Sequence, residues 1–96
     1  MNNLDKSKFK VKTEMYSNDN DKIVGTWIER DKNRNPILFS VLKDSIDYLS
    51  RRAYELNEHN KDLFRINHGL KFYYILKVIK DNKIIRKLNS KNLKNY

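Results

Sequence analysis

Apolar residues recur at steps of four, three, four and three between Ser40 and Glu58. This spacing places them on one stripe of an α-helix, opposite a face of charged and polar side chains. Ser40 precedes the stripe and is expected to cap the first free amide groups of the helix. We therefore predict one long amphipathic helix on which the rest of the chain packs. The stripe consists of Leu42, Ile46, Leu49, Ala53 and Leu56.

Two strands are predicted before the helix. From Phe9 to Tyr16 apolar and polar residues alternate, which is typical of a half-buried strand. The polar cluster 17–21 favours a turn, because short polar side chains bond their own backbone. Residues 22–30 form the partner strand, in which Gly25 marks a bulge or a close backbone approach. Residues 29–32 are expected to enter a second, solvated turn.

The segment 36–40 has two interpretations. Asn35 can cap a helix with Pro36 at its first position, which would extend the long helix backward by about one turn. Alternatively, 36–40 is a third strand with Pro36 at its start, where a missing donor does little harm. The preceding polar turn and the apolar run 37–39 favour the strand.

The last third of the chain predicts a hairpin. Residues 60–69 are expected to form one short helical turn or an ordered loop that ends at Gly69. Residues 70–80 are rich in aromatic and β-branched side chains, which favour a strand. Asp81 and Asn82 suit a two-residue turn with positive φ at both positions, and 83–89 return as the last strand.

These elements predict a small α+β domain in the order β-β-β-α-(short α)-β-β, with a mainly antiparallel sheet of about five strands under one helix. We assign 1–7 to a disordered N-terminus, 8–89 to the domain and 90–96 to a basic flexible tail. The expected core contains Trp27, Phe39, Leu49, Leu56, Phe72 and Leu76.

The most informative feature of the composition is its charge. The 96 residues carry a formal net charge of +9 and no cysteine, so thiolate chemistry is excluded. No apolar run approaches the roughly 20 residues of a membrane span, and we expect a cytoplasmic protein. Residues 1–40 hold eight basic against six acidic residues, 41–69 hold five against five, and 70–96 hold eight against one. The excess therefore lies in the last third, and a field of one sign attracts polyanions.

Signals for enzymatic chemistry are sparse. The chain has no Gly-rich phosphate loop, and its two histidines have no carboxylate partners in a ligand pattern. We therefore predict a non-enzymatic protein without metal or cofactor.

The basic hairpin is the candidate binding surface. A two-residue turn would place Lys77 opposite Arg86 and Lys80 opposite Lys83, and like charges across a ladder call for a neutralising ligand. Cations around an exposed Tyr73 suit phosphate contact with base stacking, although isoleucines on the same face also fit a buried surface. The predicted nucleic-acid-binding residues are Lys71, Tyr73, Lys77, Lys80, Lys83, Arg86, Lys87 and Lys91.

Residues 9–58, three short strands with polar turns followed by an amphipathic helix, resemble the arm-binding (AP2-like) domains of tyrosine recombinases in element order and spacing. The resemblance covers about half of the 96 residues and involves no diagnostic motif. It implies a sheet that enters a DNA major groove.

Our main hypothesis is a small nucleic-acid-binding protein of a phage or mobile element, since fifteen lysines and thirteen asparagines suggest an AT-rich genome. The partner would be RNA or DNA. The alternatives are an inhibitor of a host defence complex, of the anti-CRISPR kind, which binds a protein or nucleoprotein, and a small basic ribonuclease toxin. An unpaired edge strand would also allow a homodimer.

Overall fold

The computed structural model describes the backbone of residues 8–67 and 72–92 and the side chains of 8–59 and 72–91. Four strands and one long helix follow one another in these ranges, and a short 3₁₀ helix ends the described chain. The elements are β1 (Lys10–Ser17), β2 (Ile23–Ile28), α1 (Leu42–Asn67), β3 (Phe72–Lys80), β4 (Lys83–Asn89) and the 3₁₀ helix Ser90–Asn92.

The strands form one antiparallel sheet in the order β2-β1-β3-β4. The α+β class is confirmed, with four strands in the described sheet where about five were expected. β1 lies between β2 and β3, so it pairs on both sides. The sheet edges are β2 and β4.

The expected third strand is instead an extended segment with two isolated bridges, Arg30 to Pro36 and Phe9 to Phe39. Phe9 and Phe39 exchange both backbone hydrogen bonds, at 2.8 and 2.9 Å. Pro36 has no amide hydrogen, so the segment cannot form a full ladder from its start. The segment is extended, as a strand would be, but it does not form a strand of the sheet.

α1 begins two residues later and ends much later than the sequence predicts. Ser40 lies outside the helix, and its Oγ accepts a hydrogen bond from Lys8 Nζ at 2.6 Å. The predicted separate helical turn at 60–69 is wrong, because α1 continues without a break through Asn67. No glycine or proline occurs between 58 and 67 to stop it. Gly69 and Leu70 lie outside the described residues.

The hydrophobic core lies between α1 and one face of the sheet. Leu49, Ala53 and Leu56 of the predicted stripe are buried against Val11, Tyr74, Leu76 and Val78. Trp27, Phe39 and Phe72 pack around this cluster while remaining partly exposed. Part of the polar face of the helix also turns toward the sheet, since Ser45 is fully buried and Arg52 contacts Glu29.

Glu29 lies just after β2 and is only 4% exposed, so its assignment to a solvated turn was wrong. Its Oε1 accepts hydrogen bonds from Tyr48 Oη at 2.7 Å and from Arg52 Nε at 2.9 Å. Its Oε2 accepts from Thr13 Oγ1 at 2.7 Å and from Trp27 Nε1 at 2.6 Å. Four donors from two strands and the helix therefore satisfy one buried carboxylate.

Burial alone would raise the pKa of the Glu29 carboxyl, but the hydrogen bonds and the Arg52 charge outweigh it and lower the pKa below its ordinary value. Burial together with the bond to Glu29 raises the pKa of the Tyr48 hydroxyl well above its usual range. Glu29 is therefore an ionised acceptor and Tyr48 a neutral donor at neutral pH.

Both hairpin turns form where the sequence predicts them. Asp81 and Asn82 have φ values of 53° and 63°, which matches a two-residue turn of the mirror-image type. In the β1–β2 turn, Asp21 has a φ of 59° and Lys22 N donates to Asn20 Oδ1 at 3.0 Å.

Each edge strand carries one bulge. In β2 the register skips Val24, beside Gly25, where the sequence predicts a bulge or a close approach. In β4 the register skips Ile85, so Lys77 pairs with Lys87 and Val78 pairs with Arg86. The predicted Lys77–Arg86 pair is therefore wrong, because the extra residue moves the ladder by one position. The predicted Lys80–Lys83 pair is confirmed.

The first residues of the segment assigned to a flexible tail form the 3₁₀ helix. Ser90 is 2% exposed, and its Oγ accepts a hydrogen bond from Tyr74 N at 2.8 Å. Asn57 Nδ2 on α1 donates to the Ser90 carbonyl at 3.0 Å. The 3₁₀ helix is thus held by both β3 and α1, and 93–96 lie outside the described residues.

Candidate nucleic-acid interface

The sheet has a face that α1 does not cover, and we call it the outer face. Along β1 it carries the polar half of the alternating pattern, from Lys10 to Tyr16. Along β3 it carries every second side chain from Tyr73 to Ile79, since the intervening ones enter the core. The outer face thus combines residues from the first and the last third of the chain. Its β1 and β3 members are Lys10, Lys12, Glu14, Tyr16, Tyr73, Ile75, Lys77 and Ile79.

A row of three lysines crosses the outer face. Lys12 of β1 lies directly opposite Lys77 of β3, and Lys77 lies directly opposite Lys87 of β4. Neighbouring strands are about 4.8 Å apart, so the row places three lysine residues side by side across about 10 Å of sheet. Like charges at directly opposed positions repel each other. We call Lys12, Lys77 and Lys87 the lysine row.

Glu14 neutralises one member of the row. Its Oε1 lies 2.9 Å from Lys77 Nζ, and it also accepts a hydrogen bond from Tyr16 Oη at 2.9 Å. Burial alone would raise the pKa of Glu14, but these bonds and the charges of Lys77 and Lys12 lower it below its ordinary value. Among the described side chains, Lys12 and Lys87 have no carboxylate within 4.0 Å.

An aromatic stack closes one end of the outer face. The rings of Tyr16 and Tyr73 are 5.1 Å apart and nearly parallel, at 10°. Lys91 Nζ lies 4.0 Å from the centre of the Tyr73 ring, a cation–π contact. Tyr73 Oη donates to Asp21 Oδ1 at 2.9 Å, and Lys91 Nζ lies 3.7 Å from the same oxygen. The stack ties the β1–β2 turn to the 3₁₀ helix.

Tyr73 is not the exposed tyrosine that the sequence analysis expected. It is only 9% exposed, with Tyr16 against its ring and Lys91 also in contact with it. A base cannot stack on Tyr73 without displacing one of these two side chains. Tyr16 remains half-buried and is the aromatic side chain of this stack nearest to solvent.

The predicted binding residues fall into two groups, because successive side chains on a strand point to opposite faces. Tyr73, Lys77, Lys87 and Lys91 belong to the outer face. Lys80, Lys83 and Arg86 share the side of the sheet on which α1 packs. Lys80 Nζ lies 4.7 Å from the centre of the Phe9 ring, while Lys83 and Arg86 are exposed. Lys71 lies outside the described residues.

Sequence reasoning missed Lys10 and Lys12 as candidate site residues. Both lie on the polar side of the alternating β1 pattern, and that pattern was the available signal. Their importance follows from the pairing of β1 with β3, which joins them to Lys77 and Ile79. The positive surface is therefore formed by two distant segments of the chain.

Within the part of the chain that the structure describes, no three His, Cys, Asp or Glu side chains form a group that could hold a metal ion. The same part contains no helix with the length and apolar character needed to cross a bilayer.

The chain matches no protein-family model, no curated protein and no solved structure.

Proposed function

We propose that the protein is a small non-enzymatic nucleic-acid-binding protein whose outer face contacts phosphate groups. The observation that carries this proposal is the lysine row, in which three ammonium groups lie on adjacent strands with one carboxylate, Glu14, beside them. Successive phosphate groups of a nucleic-acid backbone would neutralise the charges of Lys12 and Lys87, as Glu14 neutralises that of Lys77. The proposal includes RNA or DNA as partner and a cytoplasmic location.

The charge distribution supports the outer face as the binding surface. Lys10 lies next to the row along β1, and Lys91 lies at the far end beside the tyrosine stack. The described part of α1 carries four acidic and three basic side chains, so the helix itself adds no positive charge to the opposite side of the domain. Its charged residues are Lys43, Asp44, Asp47, Arg51, Arg52, Glu55 and Glu58.

The shape of the sheet is also suitable for nucleic acid. A twisted four-stranded sheet with a cationic face can lie along a single strand, as in other sheet-based RNA-binding modules. A two-stranded ribbon can also enter the major groove of a duplex. Both single-stranded and duplex ligands are therefore tested, and phosphate contact alone does not distinguish sequences.

The test is a fluorescence-anisotropy titration of nucleic-acid-free protein against single-stranded RNA, single-stranded DNA and duplex DNA at 50 and 200 mM salt. The test variant is Lys12→Glu with Lys87→Glu. The matched control is Lys43→Glu with Arg51→Glu, which changes the net charge equally on exposed positions of α1. Thermal melting of each variant establishes that it is folded.

We expect wild-type binding to weaken steeply with salt, by about 0.9 in log K per log salt for each duplex phosphate neutralised. The row variant should lose most of its affinity and lower the salt slope by about 2. The α1 variant should bind nearly as the wild type does. An equal loss of affinity in both variants, or no binding to any of the three ligands, would contradict the proposal.

A protein inhibitor is the second candidate, because both edge strands expose apolar side chains. Ile23 and Val24 on β2 are 51% and 53% exposed, and Ile84 on β4 is 55% exposed. Exposed β-branched residues at a sheet edge suit contact with another protein, including a second copy of this chain. Weak binding to all nucleic acids together with a stable complex with a host protein would favour this function.

A further inference from the structure

A cleft of about 420 Å³ lies on the outer face at the end where β1 begins and β3 turns into β4. This volume falls within the range of small-molecule sites, roughly 300–1,000 Å³. Lys12 belongs to both the cleft and the lysine row. The cleft is therefore continuous with the surface proposed to contact phosphates.

One wall of the cleft is cationic. Lys10 and Lys12 share the outer face of β1, and Lys8, two residues before the strand, lines the cleft beside them. Lys8 Nζ donates to the neutral hydroxyl of Ser40 at 2.6 Å, which positions its charge without neutralising it. Among the described lining residues, Asp81 is the single carboxylate. The wall thus favours an anion.

The sides of the cleft are apolar. Ile28 on β2 lies directly opposite Lys12, and Ile79 on β3 lies directly opposite Lys10. Both isoleucines line the cleft and are half-buried. An apolar surface of this kind accommodates a planar ring, and the Thr26 hydroxyl and Asn82 amide at its border can bond the polar edge of such a ring.

We propose that this cleft binds a nucleoside phosphate, with the base against Ile28 on the β2 side and the phosphate at Lys8 and Lys10. The inference rests on the proposed function, since the nucleotide can be one residue of a bound strand. A free mononucleotide has the same chemistry, and the experiment below distinguishes these two sources.

Isothermal titration calorimetry follows separate titrations with AMP, adenosine and inorganic phosphate. We expect AMP to bind at least tenfold more tightly than adenosine or phosphate, because AMP alone occupies both the apolar and the cationic part. Equal affinity of AMP and inorganic phosphate would overturn the proposal of a base site.

Two variants test the cleft directly. Ile28→Thr keeps a β-branched residue on β2 but removes apolar surface, and its matched control is Ile23→Thr on the same strand. Lys10→Gln removes one charge at a half-buried position without cutting into the core. We expect Ile28→Thr and Lys10→Gln each to weaken AMP binding about fivefold to tenfold, and Ile23→Thr to leave it unchanged.

The same variants are then titrated with a ten-nucleotide single strand. If Ile28→Thr binds both AMP and the ten-nucleotide ligand more weakly, the cleft holds one nucleotide of a bound nucleic acid. If it binds only AMP more weakly, the cleft holds a free nucleotide. Unchanged binding of both by Ile28→Thr and Lys10→Gln would overturn the proposal. Lys87 lies outside the cleft, so Lys87→Glu should weaken binding of the ten-nucleotide ligand but not of AMP. The experiment therefore tests the proposed phosphate contact of the lysine row separately from the proposed nucleotide site in the cleft.

Discussion

Arg52 of α1 reaches across the helix–sheet boundary to Glu29, with 2.9 Å between Nε and Oε1. The arginine is about one-third exposed, whereas the carboxylate is 4% exposed. The pair therefore has one member that can return to water and one that cannot. Losing each partner should have very different consequences for stability.

Glu29→Ala should lower the free energy of unfolding by about 3–5 kcal/mol, since breaking a buried ionic contact from one side leaves its partners unmatched. Tyr48, Thr13 and Trp27 would each lose an acceptor inside the domain. Urea unfolding followed by circular dichroism measures the change. A loss below about 1 kcal/mol would show that water replaces the carboxylate.

Arg52→Ala should cost less, about 1.5–3 kcal/mol, the range of a hydrogen bond to a charged group. Glu29 would keep its three other donors, and the freed space is open to solvent. Asp47→Ala serves as the control, because Asp47 is exposed on the same helix and should change stability by no more than about 0.5 kcal/mol.

Stability should fall in acid because of Glu29. A carboxyl whose folded pKa lies below its unfolded value stabilises the fold at high pH, and this contribution is lost as the pH falls through the folded pKa. For Glu29 the loss begins near the ordinary value of 4.5 and is complete below the lowered pKa. Urea midpoints at pH 6, 4.5 and 3 should therefore fall in this order.

Glu29→Gln should be less stable than the wild type at pH 6 but should lose less on acidification. Glu14 contributes to the acid dependence with the same sign, so part of the slope should remain in this variant. An identical pH slope in the wild type and Glu29→Gln would mean that Glu29 does not titrate differently in the folded and unfolded states.

Glu14→Gln should destabilise the fold and strengthen polyanion binding at once. The substitution removes the charge that neutralises Lys77, so the three lysines of the row repel one another without compensation. The melting temperature should drop at low salt and recover at high salt, because salt screens exposed charges. Affinity for nucleic acid should rise, and a lower affinity would contradict the role given to the row.

The β3–β4 turn offers a test of backbone geometry. Asn82→Gly should be neutral or stabilising by up to about 1 kcal/mol, because glycine adopts positive φ without a steric penalty. Asn82→Val should destabilise by about 1–2 kcal/mol, since a β-branched residue is strained at the φ of 63°. Thermal melting compares both variants with the wild type.

Local features were predictable from the sequence. The stripe from Leu42 to Leu56 determines the helix face, and short polar residues at Asp81 and Asn82 favour positive φ. Each feature depends on neighbours a few residues away. The end of α1 was not predicted correctly. No residue in 59–67 stops a helix, but the apolar pattern there does not show that the helix continues.

The remaining features depend on contacts between distant segments. The lysine row needs β1 to pair with β3, and the Ile85 bulge decides that Lys87 rather than Arg86 lies opposite Lys77. The burial of Glu29 depends on donors from two strands and the helix, so its own sequence neighbours suggested a solvated turn. Candidate site residues on β3 and β4 were partly predictable, whereas those on β1 required the fold.

The central position of β1 has a consequence for how the chain folds. The β1–β2 hairpin joins neighbouring segments and can form early, but the other side of β1 pairs Ser17 with Phe72 and Lys10 with Ile79. Closing such a long loop delays these contacts, and domains dominated by distant pairings fold slowly. During synthesis one edge of β1 therefore remains unpaired until β3 has left the ribosome. We expect this interval, rather than the finished domain, to be the stage at which the chain is most prone to aggregation.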